Sequence, residues 1–290
     1  MNNLRLADGR TLEYLVAGPE DGTPLVFHHG TPFAAIVFDP LAEAAARHGL
    51  RTVVYSRPGY AGSSPQPGRT VASAAEDTAA LLDELGAERF VTVGWSGGGP
   101  HALACAALLP GRCVAAATLA GVAPFHAEGL DWLDGMGAED VDEFAAATTG
   151  AEPLTAYLSE QAAAMAHVQG PQIAAALGDL ISEVDRKALT DAFADYAAEA
   201  FRRSVSEGVA GWRDDDLAFI ADWGFDLARI QTPVAIWQGA EDRMVPFAHG
   251  RWLASHVGGA TERLRPAEGH LSLVVDGFGE MVGELAARLG

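Results

Sequence analysis

Residues 91–104 read VTVGWSGGGPHALA and place Ser96 among four glycines, at positions 94, 97, 98 and 99. An apolar run precedes the serine, and an alanine-rich stretch typical of a helix follows it. Glycine permits backbone conformations and close approaches that a Cβ atom would forbid. The pattern Gly-x-Ser-x-Gly between a strand and a helix is typical of a turn that holds a nucleophilic serine above the edge of a sheet.

Two other interpretations of this segment are available. Ser96 could cap the following helix without doing any chemistry. A phosphate-binding loop fits poorly, because the segment lacks a Gly-Lys-Ser/Thr ending and the partner acid of a dinucleotide site. A serine hydroxyl is a poor nucleophile without a base, so the nucleophile interpretation requires a histidine and a carboxylate elsewhere in the chain.

Asp242 and His270 supply these two groups. Asp242 follows the apolar run PVAIWQG, and His270 follows a later predicted strand within ATERLRPAEG. The carboxyl ends of parallel strands converge on one crevice, and the order Ser96, Asp242, His270 is the one expected of this turn type. Glu241 is disfavoured because adjacent residues of an extended segment point in opposite directions. We expect His270 to act as the general base and Asp242 to orient its imidazole.

Short apolar runs alternate with helix-like stretches through residues 1–124 and 230–290. This alternation predicts an α/β fold with a mostly parallel central sheet and helices on both faces. Residues 125–229 break the rhythm, because alanine-rich segments with helical spacing replace the buried-strand runs. The sequence therefore predicts a core in two parts, 1–124 and 230–290, separated by an α-helical lid at 125–229.

Composition restricts the partners of the chain. It has 290 residues with 39 acidic and 19 basic side chains, a formal net charge of −20. Nucleic acids and anionic membranes need a basic surface, so neither is an expected partner. No apolar run approaches the ~18 residues of a membrane helix, and no secretory signal is evident. Cys105 and Cys113 suit neither a metal site nor a disulfide framework. We expect a cytoplasmic protein with no metal or cofactor; a homo-oligomer stays open.

Five motifs together resemble those of the α/β-hydrolase fold family, in its branch with a serine nucleophile and a helical lid. In chain order they are HHGTP, SRPGYAGSS, GWSGGG, GAEDRMVP and EGHLSL. The resemblance covers nearly the whole chain and lacks a diagnostic match only in the predicted lid. It implies an oxyanion loop at HHGTP, and it places the nucleophile, the acid and the base in the last three motifs.

The oxyanion of a tetrahedral intermediate needs hydrogen-bond donors. The motif assigns one donor to the N–H of Gly97, the residue after the nucleophile. The resemblance assigns the second to the loop after HHG, where Thr31 is the candidate because Pro32 has no N–H. The alternative is that this loop is only a turn. Arg57 is expected to tie loops together rather than to take part in catalysis.

Apolar side chains near the serine and in the predicted lid are candidates to line an acyl pocket, with core packing as the alternative. They are Trp95, Phe125, Trp132, Met136, Trp212 and Trp223. The acidic run at 214–216 is expected to be solvated, with an amine-binding role as the alternative.

A serine with a base and oxyanion donors fits acyl transfer to water. The first prediction is hydrolysis of a small-molecule carboxylic ester through an acyl-enzyme. Proline iminopeptidase-like amide cleavage, carbon–carbon bond hydrolysis, perhydrolysis and acyl transfer to an alcohol stay open. A small-molecule receptor on the same fold is the alternative from another class, and a damaged triad would favour it.

Overall fold

One eight-stranded sheet forms the centre of the computed structural model, which describes residues 1–290. The strands run in the spatial order β1-β2-β4-β3-β5-β6-β7-β8. Strands β3 to β8 pair in parallel, and β1 and β2 add antiparallel pairings at one edge. Their bounds are Asn2–Arg5 (β1), Thr11–Ala17 (β2), Thr23–His28 (β3), Leu50–Tyr55 (β4), Phe90–Trp95 (β5), Cys113–Leu119 (β6), Val234–Gly239 (β7) and Thr261–Arg265 (β8).

Eleven α-helices accompany the sheet, and none is both long enough and apolar enough to span a bilayer. Their bounds are Asp39–Ala46 (α1), Ser73–Glu84 (α2), Gly99–Leu108 (α3), Ala138–Thr149 (α4), Ala151–Met165 (α5), Ile173–Ala176 (α6), Glu183–Ala188 (α7), Asp191–Ser204 (α8), Ala210–Ile220 (α9), Phe247–His256 (α10) and Ser272–Ala286 (α11).

Helices cover both faces of the sheet. Successive side chains of a strand point to opposite faces, so a strand that is apolar throughout needs helices packed on each face. Val26 of β3 belongs to a core that includes buried residues of α2, α3 and α10. Its neighbours Leu25 and Phe27 belong to a second core with α1 and α11. Strand β5 is buried along its whole length, as expected for a central parallel strand. The predicted fold class is confirmed.

Only helical elements lie between β6 and β7, namely α4 to α9 and three short 3₁₀ turns, the last of them at Leu227–Arg229. The sequence lacks buried-strand runs over this stretch, and the structure has no strand there. The bounds 125–229 for a separate lid stay a prediction. The edge strand β1 is the one strand that the apolar runs did not indicate, because its side chains are mostly exposed.

Candidate active site

The turn after β5 holds Ser96 in a strained conformation. Its φ angle is 55°, in the left-handed region that costs a non-glycine residue about 1–3 kcal/mol. A Cβ atom at Gly94 would lie 2.0 Å from the carbonyl oxygen of Gly98, and one at Gly98 would lie 2.0 Å from that of His28. Such contacts are sterically forbidden, so the glycines on either side of the serine are required by this turn.

Ser96 does not cap the helix that follows. The 3₁₀ turn Ser96–Gly98 leads directly into α3, and no side chain caps its start. The half-buried Ser96 hydroxyl makes no hydrogen bond to the protein and faces a cavity. The first N–H groups of a helix lack intrahelical acceptors, and its dipole places partial positive charge at this end. The position therefore suits a developing negative charge.

His270 and Asp242 form a hydrogen-bonded pair beside this turn. The Nδ1 atom of His270 lies 3.1 Å from Oδ1 and 2.9 Å from Oδ2 of Asp242. Both side chains are buried, whereas the adjacent Glu241 is exposed. The Nε2 atom of His270 makes no hydrogen bond to the protein, and the residue lines the same cavity as Ser96. The structure thus brings the three predicted catalytic residues to one edge of the sheet.

Further hydrogen bonds fix the Asp242 carboxylate. Its Oδ1 accepts from the N–H groups of Met244 at 3.0 Å and Val245 at 2.8 Å. Its Oδ2 accepts from Nε2 of the buried Gln238 at 3.0 Å. A carboxylate held by several donors keeps its orientation, so the imidazole of His270 has a fixed partner.

The environment of His270 favours its protonated form. Burial lowers the pKa of the imidazole, but the charge and hydrogen bond of Asp242 raise it, and the charge of Asp185 adds to that effect. The net pKa lies above the ordinary value of 6.5. An imidazolium formed during a reaction is therefore stabilised at this position.

Four other histidines are buried, and their pKa values are lowered, whereas that of His270 is raised. Burial lowers their pKa values, to about 3 for His29 and to about 4 for His101 and His249, and well below the ordinary range for His28. His29 is hydrogen-bonded to the Tyr196 hydroxyl at 3.2 Å. These neutral imidazoles are packing and hydrogen-bonding groups of the interior.

The loop after β3 runs alongside the serine turn. A Cβ atom at Gly30 would lie 3.3 Å from Cβ of Ser96, and one at Gly97 would lie 2.5 Å from Oγ1 of Thr31. Gly30, Thr31 and Ser96 also line the cavity. Thr31 and Gly97, the two residues predicted to supply the oxyanion donors, are therefore direct neighbours beside Ser96, with the Thr31 side chain against Gly97.

Arg57 holds this loop from behind. Its guanidinium donates to the carbonyl oxygens of His29 and of Gly30, the latter at 3.1 Å. It also donates to Oγ1 of Thr31 at 3.0 Å and to Oδ2 of Asp215 at 2.6 Å. The side chain is 2% exposed, so these bonds are shielded from water. The contacts agree with the structural role expected of Arg57.

The expectation that the acidic run at 214–216 is solvated is wrong. The exposed fractions are 4%, 0% and 1%. Asp215 lies 2.7 Å from Nη1 of Arg69 and accepts a hydrogen bond from the Tyr60 hydroxyl at 2.8 Å. Despite burial, the charges of Arg57 and Arg69 hold the pKa of Asp215 well below its usual range. The run is buried because two arginines distant in sequence neutralise its central carboxylate.

The cavity beside Ser96 and His270 has a volume of about 160 Å³. Of the six predicted pocket residues, Trp95 and Trp212 line it. Most of its apolar lining comes from helices α5 to α8 and the turns between them, which the prediction missed. These residues are Met165, Ile173, Ala176, Leu177, Leu180, Leu189, Phe193, Ala197 and Phe201. Positions 193, 197 and 201 repeat every four residues, a helical spacing that marks one face of α8.

The other four predicted pocket residues lie outside the cavity, which corrects the prediction. Trp132 donates from Nε1 to the Ala123 carbonyl at 2.7 Å and packs on Phe125. Trp223 donates from Nε1 to the Phe219 carbonyl at 3.3 Å. Met136 packs against the core cluster that contains Trp132 and Trp223. Their aromatic and apolar surfaces therefore pack in the core rather than against the cavity.

One wall of the cavity is acidic. Glu139, Asp140 and Glu143 of α4 line it, and no lysine or arginine does. Glu143 accepts a hydrogen bond from Nε1 of Trp212 at 2.9 Å, and burial raises its pKa to about 7. Burial raises the pKa of the neighbouring Asp216 well above its usual range, and the charges of Glu143 and Asp215 add to this. No group of acidic, histidine or cysteine side chains here is arranged to hold a metal ion.

A family comparison agrees with the fold. The sequence profile for the alpha/beta hydrolase fold matches residues 23–276. The chain belongs to the α/β-hydrolase fold family. The match includes all five motifs and the helical segment between β6 and β7, so the resemblance predicted from the motifs is confirmed.

Relatives within this hydrolase family carry several activities in their names. A non-heme chloroperoxidase from Streptomyces lividans is 30% identical over 251 residues, which is 86% of this chain and 84% of that protein. A bifunctional esterase/perhydrolase from Acinetobacter calcoaceticus is 28% identical, over 85% of this chain and 84% of its own. An alpha/beta hydrolase fold protein from Nakamurella multipartita has a solved structure with TM-score 0.63 and 26% identity, covering 100% of this chain and 99% of its own.

Proposed function

We propose that the protein is a serine hydrolase that cleaves a small carboxylic ester through an acyl-enzyme at Ser96. One observation carries the proposal: the free hydroxyl of Ser96 and the free Nε2 of His270 face the same cavity, while Asp242 binds the far side of the imidazole. A nucleophile, a base and an orienting acid in this relationship are the requirements for acyl transfer.

Acylation begins when His270 Nε2 accepts the Ser96 proton and Oγ bonds to the ester carbonyl carbon. The carbonyl oxygen becomes an oxyanion, which the N–H groups of Gly97 and Thr31 stabilise. Each such donor is worth about 3–4 kcal/mol of barrier. Collapse of the intermediate breaks the ester C–O bond. His270 returns the proton to the departing alkoxide, and the alcohol leaves.

Deacylation repeats these steps with water. The water oxygen attacks the acyl carbon while His270 takes its proton, and the bond to Ser96 breaks as His270 returns that proton to Oγ. The carboxylic acid is then released. Asp242 supports both steps because it stabilises the imidazolium that forms each time.

The cavity favours a small apolar acyl group. Its volume of about 160 Å³ and its lining from helices α5 to α8 support a short or compact chain next to Ser96. The carboxyl groups of α4 oppose a substrate that carries a negative charge once they are ionised. We therefore infer neutral esters as the preferred substrates over anionic ones.

Turnover of p-nitrophenyl esters of increasing acyl length tests this proposal. The wild type should hydrolyse the acetate and butyrate, and Ser96→Ala should not. The melting temperature of Ser96→Ala should stay close to that of the wild type, because the hydroxyl makes no hydrogen bond to the protein. Ser255→Ala, at an exposed serine of α10, is the matched control and should keep full activity. An inactive wild type, or an active Ser96→Ala, would contradict the proposal.

Perhydrolysis is a second candidate, and the relatives favour it. Two of them are named as a chloroperoxidase and as an esterase/perhydrolase. Hydrogen peroxide would replace water: it attacks the acyl carbon, its proton passes through His270 to Ser96, and a percarboxylic acid leaves. Peracid formation from an acetate ester and peroxide, measured by iodide oxidation, tests this activity. Hydrolysis without any peracid would exclude it.

A further inference from the structure

A buried carboxylate of the inserted helices contacts the segment that carries His270. Asp185 lies on the short helix α7 and is 0% exposed. Its Oδ1 atom accepts hydrogen bonds from the backbone N–H groups of Leu271 at 2.8 Å and Ser272 at 3.0 Å. These are the two residues directly after His270, so a side chain 85 positions earlier in the sequence holds the start of α11.

The other oxygen of Asp185 binds Ser182, the residue directly before α7. Its Oδ2 accepts from the hydroxyl of Ser182 at 2.9 Å and from the Ser182 N–H at 3.2 Å. All four bonds come from buried donors, which fixes the carboxylate in position. The two oxygens therefore have different partners: Oδ2 stabilises the start of α7, and Oδ1 binds the segment that follows His270.

The residue before His270 is shaped to admit this carboxylate. A Cβ atom at Gly269 would lie 2.5 Å from both Asp185 oxygens, closer than such atoms approach in proteins. The N–H of Gly269 in turn donates to Oγ of Ser272 at 2.8 Å. Residues on both sides of His270 are thus fixed relative to Asp185.

We propose that Asp185 is a positioning residue for His270. It fixes the position of the proposed general base and makes that position depend on the packing of α7. The inference rests on the proposed function of His270. Asp185 does not contact the reacting atoms, because its oxygens bind backbone N–H groups and Ser182. Its effect on the reaction passes through the backbone of Leu271 and Ser272.

The Asp185 charge also bears on the protonation of His270. The groups that face the imidazole are Asp242, on the segment after β7, and Asp185 on α7; the carboxyls of α4 and Tyr157 of α5 line the same cavity. The negative charge of Asp185 raises the pKa of His270. Because the base must be neutral to accept a proton, loss of this charge should move the acid limb of kcat/KM to lower pH.

The test compares Asp185→Ala with Asp185→Asn. The alanine variant loses both the acceptor and the charge, so kcat/KM for p-nitrophenyl acetate should fall about 100-fold, as for a slightly misplaced catalytic group. Its labelling by a fluorophosphonate should slow in parallel. The asparagine variant keeps one acceptor oxygen for Leu271 and Ser272, so it should keep more activity while its acid limb still moves to lower pH. It also tests the inference if the alanine variant fails to fold.

Ser182→Ala is the matched control, because it weakens the start of α7 but leaves the bonds of Asp185 to Leu271 and Ser272. It should lower the melting temperature and keep the acid limb of the wild type. The inference is overturned if Asp185→Ala behaves like Ser182→Ala in rate and acid limb. If the wild type does not hydrolyse esters, the proposed function fails. NMR titration of the His270 ring then still tests the inference. A His270 pKa in Asp185→Asn equal to that of the wild type would overturn it.

Discussion

Asp215 of α9 and Arg57 of the segment after β4 form a fully buried ion pair, with 2.6 Å between Oδ2 and Nη2. The same guanidinium donates to Gly30 and Thr31 of the predicted oxyanion loop. The pair therefore joins the inserted helices to the loop beside Ser96. Asp185 makes the corresponding connection to the His270 segment. Carboxylates from these helices therefore contact two of the loops that carry a proposed catalytic function, the loop of Thr31 and the segment of His270.

Removing one member of this pair should destabilise the protein. Asp215→Ala leaves Arg57 and Arg69 buried without their carboxylate, which typically costs about 3–5 kcal/mol of unfolding free energy. Urea unfolding measures this loss. In folded protein, kcat should fall more than KM rises, because Thr31 loses its support. Glu207→Ala, at an exposed position, is the control and should leave stability nearly unchanged. Wild-type stability in Asp215→Ala would contradict the role of the pair.

Replacing the proposed acid should impair turnover without disrupting the fold. Asp242→Asn keeps the size of the side chain but removes the charge that stabilises imidazolium and selects its tautomer. Such a change typically lowers kcat by about 10⁴-fold. Glu241→Gln is the matched control one residue away, where the side chain is exposed, and should turn over ester at the wild-type rate. Near-normal kcat in Asp242→Asn would mean that another acid serves His270.

The acidic wall predicts a pH-dependent preference for neutral esters. The raised pKa of Glu143, about 7, means that this carboxyl is neutral below that pH and charged above it. As the pH rises through 7, KM for an ester bearing a carboxylate should increase relative to KM for a neutral ester of similar size. The KM ratio of such a pair, measured between pH 5.5 and 8.5, checks this expectation.

Glu143→Gln should flatten that KM ratio, since an amide does not ionise. Glu160→Gln, at an exposed position on α5, should keep the wild-type dependence. A KM ratio that does not change with pH in the wild type would show that the charge of this wall does not affect substrate binding. The titration of Asp140 and Asp216, whose pKa values are also raised, would survive in Glu143→Gln as a smaller residual slope.

The sequence predicted those parts of the site that depend on local patterns. Ser96 is identified by glycines within three positions, and Asp242 and His270 by their places just after apolar strands. The glycine signal reflects a local steric requirement, because any Cβ atom at Gly94 would lie 2.0 Å from the carbonyl oxygen of Gly98. The alternation of buried strands and helices likewise predicted the parallel sheet.

Contacts between distant segments could not be predicted in this way. The acidic run at 214–216 has the composition of a solvated surface, and only the folded chain brings Arg57 and Arg69 to Asp215. Trp132 and Phe193 are both buried aromatic residues of the core, yet only Phe193 lines the cavity. Whether such a residue lines the cavity depends on how the helices between β6 and β7 pack. The hydrophobic periodicity of the sequence does not specify that packing.

The central claim is that Ser96 is an activated nucleophile, and intact-mass and peptide-level analysis after treatment with a fluorophosphonate tests it most directly. The account predicts one adduct per chain, located on Ser96, absent in Ser96→Ala and formed much more slowly in His270→Ala. An unlabelled wild type, or an adduct on any other serine at the same rate in Ser96→Ala, would contradict it.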